Sequence, residues 1–318
     1  MDLSSASPPA SPSLLDAIGK TPLVELRRVA PEGAARVFIK LEYYNPTGSY
    51  KDRMALSVVE GAERRGALKP GMRVVEYTGG STGSSLAMVC AVKGYEFTPV
   101  SSDAFAKEKL DTMRAFGANL ILVESDGGQI TSELFVRLKA EIARQSAEPG
   151  VFYADQFNND DVMDGYTAIG EELLNSLPSG FTTFCAGVGT GGMLVGVSRV
   201  LKRAAQPPRI VALEPASSPT ISTGKGGPHR VEGIGVGFVP PHLKPGDYDE
   251  IRTVEESAAR AMAMRLAREE GILAGTSTGL NVVAALQIAT ELGPDATVVT
   301  VACDSGLKYL NGDLYSGA

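Results

Sequence analysis

Histidine and cysteine are scarce in this 318-residue chain, and their scarcity removes several chemistries at once. His229 and His242 are the only histidines, so a histidine-rich metal centre is excluded and no metal is expected. The three cysteines, Cys90, Cys185 and Cys303, are odd in number, far apart and set in apolar stretches. They read as reduced core thiols of a cytosolic protein, not as a disulfide framework, a zinc site or half of a Cys/His nucleophile pair. Dense runs of lysine or arginine are also missing, and the formal charge of −7 argues against nucleic acid as a partner. Long uncharged stretches run from Leu173 to Ser198 and from Gly271 to Thr290, but Gly, Ser, Thr or Asn interrupts both, so no membrane span is expected. The first thirteen residues lack both a basic start and an apolar core, and read as a flexible tail rather than a signal peptide.

What is present is an ordinary soluble composition, 43% hydrophobic and 21% charged, in a chain long enough for one large or two medium domains. After a short helix at Leu14–Ile18 and an extended segment at Pro22–Leu26, apolar runs of strand length alternate with stretches of helical spacing. Strands are predicted over 37–41, 73–76, 96–100, 119–123, 151–153, 182–186, 209–213 and 296–301. Helices are predicted from the Lys51 turn and over 82–92, 107–116, 130–145, 166–177, 192–204, 255–270 and 280–292. Such alternation means βαβ units, hence an α/β fold of two doubly wound, mostly parallel-sheet domains. The Gly- and Pro-rich loop from Pro215 to Gly246 is too long for a plain connector.

The segment Asn45-Pro46-Thr47-Gly48-Ser49-Tyr50-Lys51 organises the rest. Pro46 and Gly48 mark a turn, Ser49 can cap a helix, and Asp52 stands three residues on as in a capping box. Lys51 therefore falls in a first helical turn, where the helix dipole disfavours a cation by roughly 0.3–1 kcal/mol. It is either a solvated surface lysine or an amine with a lowered pKa, fit to act as nucleophile or Schiff-base partner.

Four further stretches carry small residues between elements. Thr78, Gly79, Gly80, Ser81 and Thr82 stand between a strand and a helix, where free amides and hydroxyls can hold an anion or simply make a turn. Gly187-Val188-Gly189-Thr190-Gly191-Gly192-Met193 follows another strand and could surround a phosphate. A dinucleotide fingerprint competes, since Glu214 ends the next strand, although the spacing departs from Gly-x-Gly-x-x-Gly. The third stretch, Gly227–Phe238, contains Gly233, and neither His229 nor Arg230 within it is given a catalytic role. The last, Gly271–Gly279, offers Ser277 as a helix N-cap, with Asp304-Ser305-Gly306 after the final strand.

Lys40-Leu41-Glu42 followed by Asn45–Arg53 resembles the lysine segment of the cysteine synthase (O-acetylserine sulfhydrylase) and cystathionine beta-synthase family of fold type II, tryptophan synthase beta-like, pyridoxal-phosphate enzymes. The resemblance extends from about Ile18 to Leu310. It implies that Lys51 carries pyridoxal 5'-phosphate in a Schiff base. It further implies that Gly189, Thr190, Gly191, Gly192 and Met193 hold the phosphate, and that Ser277 is the partner of the pyridine nitrogen. In the same family Thr78–Thr82, Gln156 and Gly233 would face the substrate. Two positions depart from the family pattern. Ser81 stands where Asn usually contacts the phenolic oxygen of the cofactor, and Met193 stands for a usual Thr, leaving backbone amides to hold the phosphate.

By the same resemblance residues 1–40 and 156–318 form a large cofactor domain and residues 41–155 a smaller mobile one. A cytoplasmic homodimer is implied, acting on a small amino acid and a small nucleophile, most simply O-acetyl-L-serine and sulfide. A cystathionine beta-synthase, diaminopropionate synthase or cysteine desulfhydrase type shares every motif. An NAD-dependent dehydrogenase and a non-catalytic relative remain as readings of other classes.

Overall fold

The computed structural model describes residues 12–128 and 132–316. Most of the expected N-terminal tail, and the first residues of the helix predicted over 130–145, lie outside them. A 3₁₀ turn at Leu14–Ala17 precedes β1 (Leu23–Leu26) and β2 (Arg36–Leu41). These are followed by α1 (Lys51–Arg64), β3 (Arg73–Tyr77), α2 (Ser81–Lys93), β4 (Glu96–Ser102), α3 (Lys107–Ala115), β5 (Ile121–Val123), α4 (Ser132–Ser146) and β6 (Val151–Tyr153). The chain continues through α5 (Asp161–Ser176), β7 (Thr183–Gly187), α6 (Gly192–Leu201), β8 (Arg209–Pro215) and the single turn α7 (Thr220–Thr223). Then come β9 (Glu250–Val254), α8 (Glu256–Arg265), which runs on as a π turn over Leu266–Glu270, α9 (Thr276–Leu292), β10 (Thr297–Ala302) and a 3₁₀ turn at Gly306–Tyr309.

The strands form two sheets, as the alternation predicts. One is six-stranded in the order β1-β2-β10-β7-β8-β9, parallel except where β1 meets β2; the other is four-stranded and wholly parallel, in the order β5-β4-β3-β6. β2 and β10 run in step to their ends, with Ala302 opposite Leu41, while Gly187 ends the next strand over. The segments that leave these ends, 42–51, 188–192 and 303–306, therefore come together beyond one carboxyl edge, where parallel sheets place ligands.

α1 buries Met54, Ala55, Val58, Val59 and Ala62, the stripe its spacing predicts. Fully burying Met54, Val58 and Val59 is worth roughly 1.5–3 kcal/mol each. Small residues let α2 sink further: its burial runs from Thr82 to Cys90, and a Cβ on Gly83 would lie 2.6 Å from the Met113 side chain.

Several boundaries differ from expectation. β9 falls in a stretch to which the sequence assigns no element, because its short half-exposed run gives no clear alternation. α5 begins at Asp161 and α9 at Thr276, both ahead of the predicted starts: Asp161, Asp164 and Gly165 interrupt the apolar pair Val162–Met163 in α5, and a polar first turn hides the helical period in α9. The Ser49/Asp52 capping box does not form: Tyr50 holds the cap position without a side-chain bond, and the Asp52 carboxylate accepts instead from the Thr47 amide (2.7 Å) and Ser85 Oγ (2.6 Å). Ser277 is not an N-cap either, since Gly275 holds that place.

Candidate active site

A knot of buried charge fixes the approach to Lys51. Arg53 donates to both Glu42 oxygens at 2.7 Å, and on its other edge to Glu172 at 2.7 and 2.9 Å. Glu172 also pairs with the buried Lys40 at 2.6 Å. Asn45 Nδ2 donates to the Glu42 backbone oxygen at 2.7 Å, and Asn45 Oδ1 accepts from the Gly19 amide at 2.8 Å. Burial alone would raise the Glu172 carboxyl, but Arg53 and Lys40 bring it down to about 2. Residues far apart in the chain thus clamp the turn from which α1 starts. The Gly48 amide closes that turn on Asn45 O at 2.7 Å with φ at +73°, a left-handed conformation that favours glycine.

Lys51 leaves this clamp with its Nζ 3.9 Å from the Tyr50 ring centroid. Burial pushes its pKa down to about 8; Cys303 and Asp304 oppose the shift, and the charge of Lys308 adds to it. An amine so placed is partly neutral near physiological pH, as a nucleophile or general base requires.

The cavity beside Lys51 is lined by Tyr50, Tyr166, Gly187, Gly189, Thr190, Gly191, Met193 and Leu194. At its far end the chain passes from β7 into α6 with bare backbone. Gly187 donates to Asn281 Oδ1 at 2.7 Å and Val188 to Leu213 O at 3.0 Å, whereas the amides of residues 189–194 find no acceptor among the described residues. Most of these residues are buried. A Cβ on Gly189 would run into the carbonyl of Gly233, and one on Gly192 into Val162. Orphaned buried donors at a helix start, in a cradle that side chains would fill, fit a bound phosphate. The Met193 side chain joins the core, so contact at that residue is left to its amide.

Thr78–Thr82 joins β3 to α2 on the other side of Lys51. Thr82 Oγ1 donates to Gln156 Oε1 at 2.8 Å, and His242 Nε2 lies 3.2 Å from the Gln156 carbonyl. Burial lowers the His242 pKa, so the ring is neutral and donates there. Ser81 Oγ meets Asp304 Oδ2 at 3.4 Å and accepts from Lys308 Nζ at 3.2 Å. Asp304 also accepts from Tyr309 OH at 2.6 Å and forms a bridge to Ser49, two residues before Lys51. Thr78 Oγ1 accepts from the Gly80 amide at 3.2 Å. A Cβ on Gly79 would strike the Phe105 ring.

Ser277, buried in the first turn of α9, lies beside Cys303, whose thiol burial pushes up to about 12; that thiol stays protonated. Gly233 has φ of +85° and its carbonyl rests against Gly189, so this loop borders the phosphate cradle. Of the residues singled out from the sequence, Lys51, Gly189, Thr190, Gly191 and Met193 line one cavity, Gly192 and Gly233 flank it, and Ser81, Thr82, Gln156 and Ser277 are tied to neighbouring segments rather than to its wall. Glu214 is engaged locally: its carboxylate takes the Ile221 amide (2.7 Å), the Ser222 amide (3.0 Å) and the Ser222 hydroxyl (2.6 Å), a structural use in holding the turn at 220–223. Asn281, His242, Tyr309 and Lys308 escaped the sequence reading. Only Lys308 and Tyr309 carried a signal, as the continuation of Asp304-Ser305-Gly306.

The profile of the family described as "Pyridoxal-phosphate dependent enzyme" matches residues 14–304. Among curated proteins, a cysteine synthase of Staphylococcus aureus is 44% identical over 301 residues, covering 94% of this chain and 95% of the relative. O-ureido-L-serine synthase of Streptomyces lavendulae is 41% identical over 309 residues, 96% and 93% of the two chains. Among solved structures, a cysteine synthase of Entamoeba histolytica superimposes with a TM-score of 0.90 at 33% identity, covering 99% of this chain and 94% of its own.

Proposed function

The chain belongs to the pyridoxal-phosphate dependent enzymes and uses pyridoxal 5'-phosphate; from that premise we propose that it catalyses β-replacement on an O-activated L-serine. The leading reaction is O-acetyl-L-serine plus sulfide giving L-cysteine plus acetate. One observation carries the reading: the amine of Lys51, held down to about 8 by burial, looks across a cavity at a row of amides that lack acceptors.

In this reading Lys51 holds the cofactor, residues 189–193 hold its phosphate through backbone amides, and Ser277 faces the pyridine nitrogen. Thr78–Thr82 and Gln156 take the substrate carboxylate, with Gly233 bordering the substrate. When bound, the pyridine ring supplies an electron sink that lets the α-proton of an amino acid leave. A neutral hydroxyl at Ser277 suits a moderate sink and prompt departure of a β-leaving group. Lys51 would also take the α-proton as general base, and its depressed pKa keeps a useful neutral fraction near pH 7. The Thr82–Gln156 bond, backed by His242, holds the carboxylate loop in register.

The four-stranded unit within 41–155 is the smaller, mobile domain in this proposal, and residues 1–40 and 156–318 the larger, in a cytoplasmic homodimer. Among the described residues no helix is long and apolar enough to cross a membrane. Similarity to O-ureido-L-serine synthase, beside the serine at position 81, supports a second reading in the same class, with another small nucleophile in place of sulfide.

Reductive trapping with borohydride followed by peptide mapping tests the premise: the label is expected on Lys51 alone, and a label elsewhere refutes the assignment. Assaying O-acetyl-L-serine with sulfide against other nucleophiles separates the two readings.

A further inference from the structure

Two lysines close on the carboxylate loop from different elements, and the reaction proposed above uses neither. Lys109, in the first turn of α3, is buried; its Nζ lies 3.9 Å from the position of a Cβ on Gly80 and 4.8 Å from the Tyr309 ring centroid. Lys308 comes from the C-terminal 3₁₀ turn, donates to Ser81 Oγ at 3.2 Å, and passes its Cε within 3.8 Å of a Cβ position on Gly48. An α-carboxylate carries one charge. The loop already offers it the Ser81 and Thr82 amides at the start of α2, which find no acceptor among the described residues.

The partners of the two ammonium groups differ. Among the described residues Lys308 makes no ion pair, and its one hydrogen bond is to a neutral hydroxyl, so two of its three donors are unspent in a partly buried place. Lys109 is paired, but with Glu232, whose side chain is 46% exposed. Glu232 precedes Gly233, Gly235 and Gly237, all with positive φ, so its carboxylate reaches Lys109 from a glycine-rich loop rather than from a sheet or helix. Two acids lie in electrostatic reach of Lys308: Asp304, whose Oδ2 takes Tyr309 and Ser81 while its Oδ1 has no partner, and Asp52, which is held by Thr47 and Ser85.

We propose that Lys109 and Lys308 form a subsite for an oxyanion that one reactant carries in addition to its α-carboxylate, with Glu232 holding Lys109 until that group arrives. The group is a phosphate or a second carboxylate, borne either by the β-substituent of the donor or by the incoming nucleophile. This rests on the reading of Thr78–Thr82 as the carboxylate loop.

The test uses the cofactor-loaded enzyme and calorimetric titration with inorganic phosphate. Lys308→Met and Lys109→Met are expected to weaken phosphate binding at least tenfold, Lys308→Arg to restore it, and Glu232→Gln to strengthen it several-fold by removing the competing carboxylate. A packing role for Lys109 predicts instead that Glu232→Gln is neutral or harmful. Phosphate affinity unmoved by Lys308→Met, or weakened by Glu232→Gln, overturns the subsite.

Spectral titrations then locate the charge. If the donor bears it, Lys308→Met lowers the preference for O-phospho-L-serine over O-acetyl-L-serine about tenfold. If the nucleophile bears it, that ratio holds and succinate, as a dead-end competitor of the second substrate, loses affinity instead. An enzyme that answers no serine derivative yet binds phosphate through Lys308 leaves the subsite standing and removes the β-replacement reading. One that answers serine derivatives, with phosphate affinity indifferent to both lysines, does the reverse.

Discussion

The two sides of the cleft are built on opposite plans. On the Lys51 side, Arg53, Glu42, Glu172 and Lys40 form a closed set of charge-assisted bonds between 2.6 and 2.9 Å, with Glu42 and Lys40 almost wholly out of water. On the ligand side, the stretches 78–82 and 187–193 are mostly glycine and small hydroxyl residues, and the amides of 81, 82 and 189–193 find no acceptor among the described residues. The proposed function accounts for the difference: as a covalent anchor Lys51 would need an amine that cannot wander, and loops that wrap a phosphate and a carboxylate would need backbone with nothing in the way.

Breaking the anchor tests the first plan. Lys51→Ala is expected to lower turnover by about 10³-fold or more, the range for a lost positioned base, while leaving thermal unfolding nearly unchanged. Calorimetry beside a steady-state assay separates the two effects. Arg53→Met does the converse: it strands the buried Glu42 carboxylate and frees Glu172, at a cost of about 3–5 kcal/mol read from chemical denaturation.

The comparison sharpens at Glu76, at the end of β3 under the carboxylate loop. Burial pushes this acid from 4.5 up to about 8, outweighing the bond from the Gln156 amide, and its Oε1 has no partner. A raised carboxyl keeps its proton in the native state after the unfolded chain has released it. Its contribution is thus complete below about pH 4.5 and is lost as pH rises through 8. Glu76→Gln should flatten that decline, visible in unfolding midpoints collected across the window. The smallest effect belongs to the ligand side. Gly189→Ala pushes a Cβ against the Gly233 carbonyl and should weaken cofactor affinity about tenfold, measured by equilibrium dialysis, with little change in folding because only the loop gives way.

Much of this was legible beforehand. The alternation of apolar strands and amphipathic helices declares the parallel α/β sheets, and Gly187–Met193 and Thr78–Thr82 announce themselves by their small residues between elements. Where periodicity is weak the reading faltered. β9 is short and half-exposed, acids and a glycine break the apolar pattern at the start of α5, and the first turn of α9 is polar, so those boundaries are not legible. Ser49 and Asp52 have capping-box spacing, yet Asp52 turns to Thr47 and Ser85, because a buried carboxylate takes the nearest fixed donors whatever its distance along the chain.

The sequence by itself determined most of the strands and helices, where the lysine stands and which loops are bare enough to hold an anion, since these follow from local pattern and steric freedom. Tertiary structure alone decided that Glu172 holds Arg53, that His242 backs Gln156, and that Lys308 reaches Ser81 across 227 positions of the chain. Those pairings depend on how two sheets set their edges together, which no spacing along the chain encodes. The pKa of Lys51 belongs with them, because it is burial, assembled from distant segments, that lowers it.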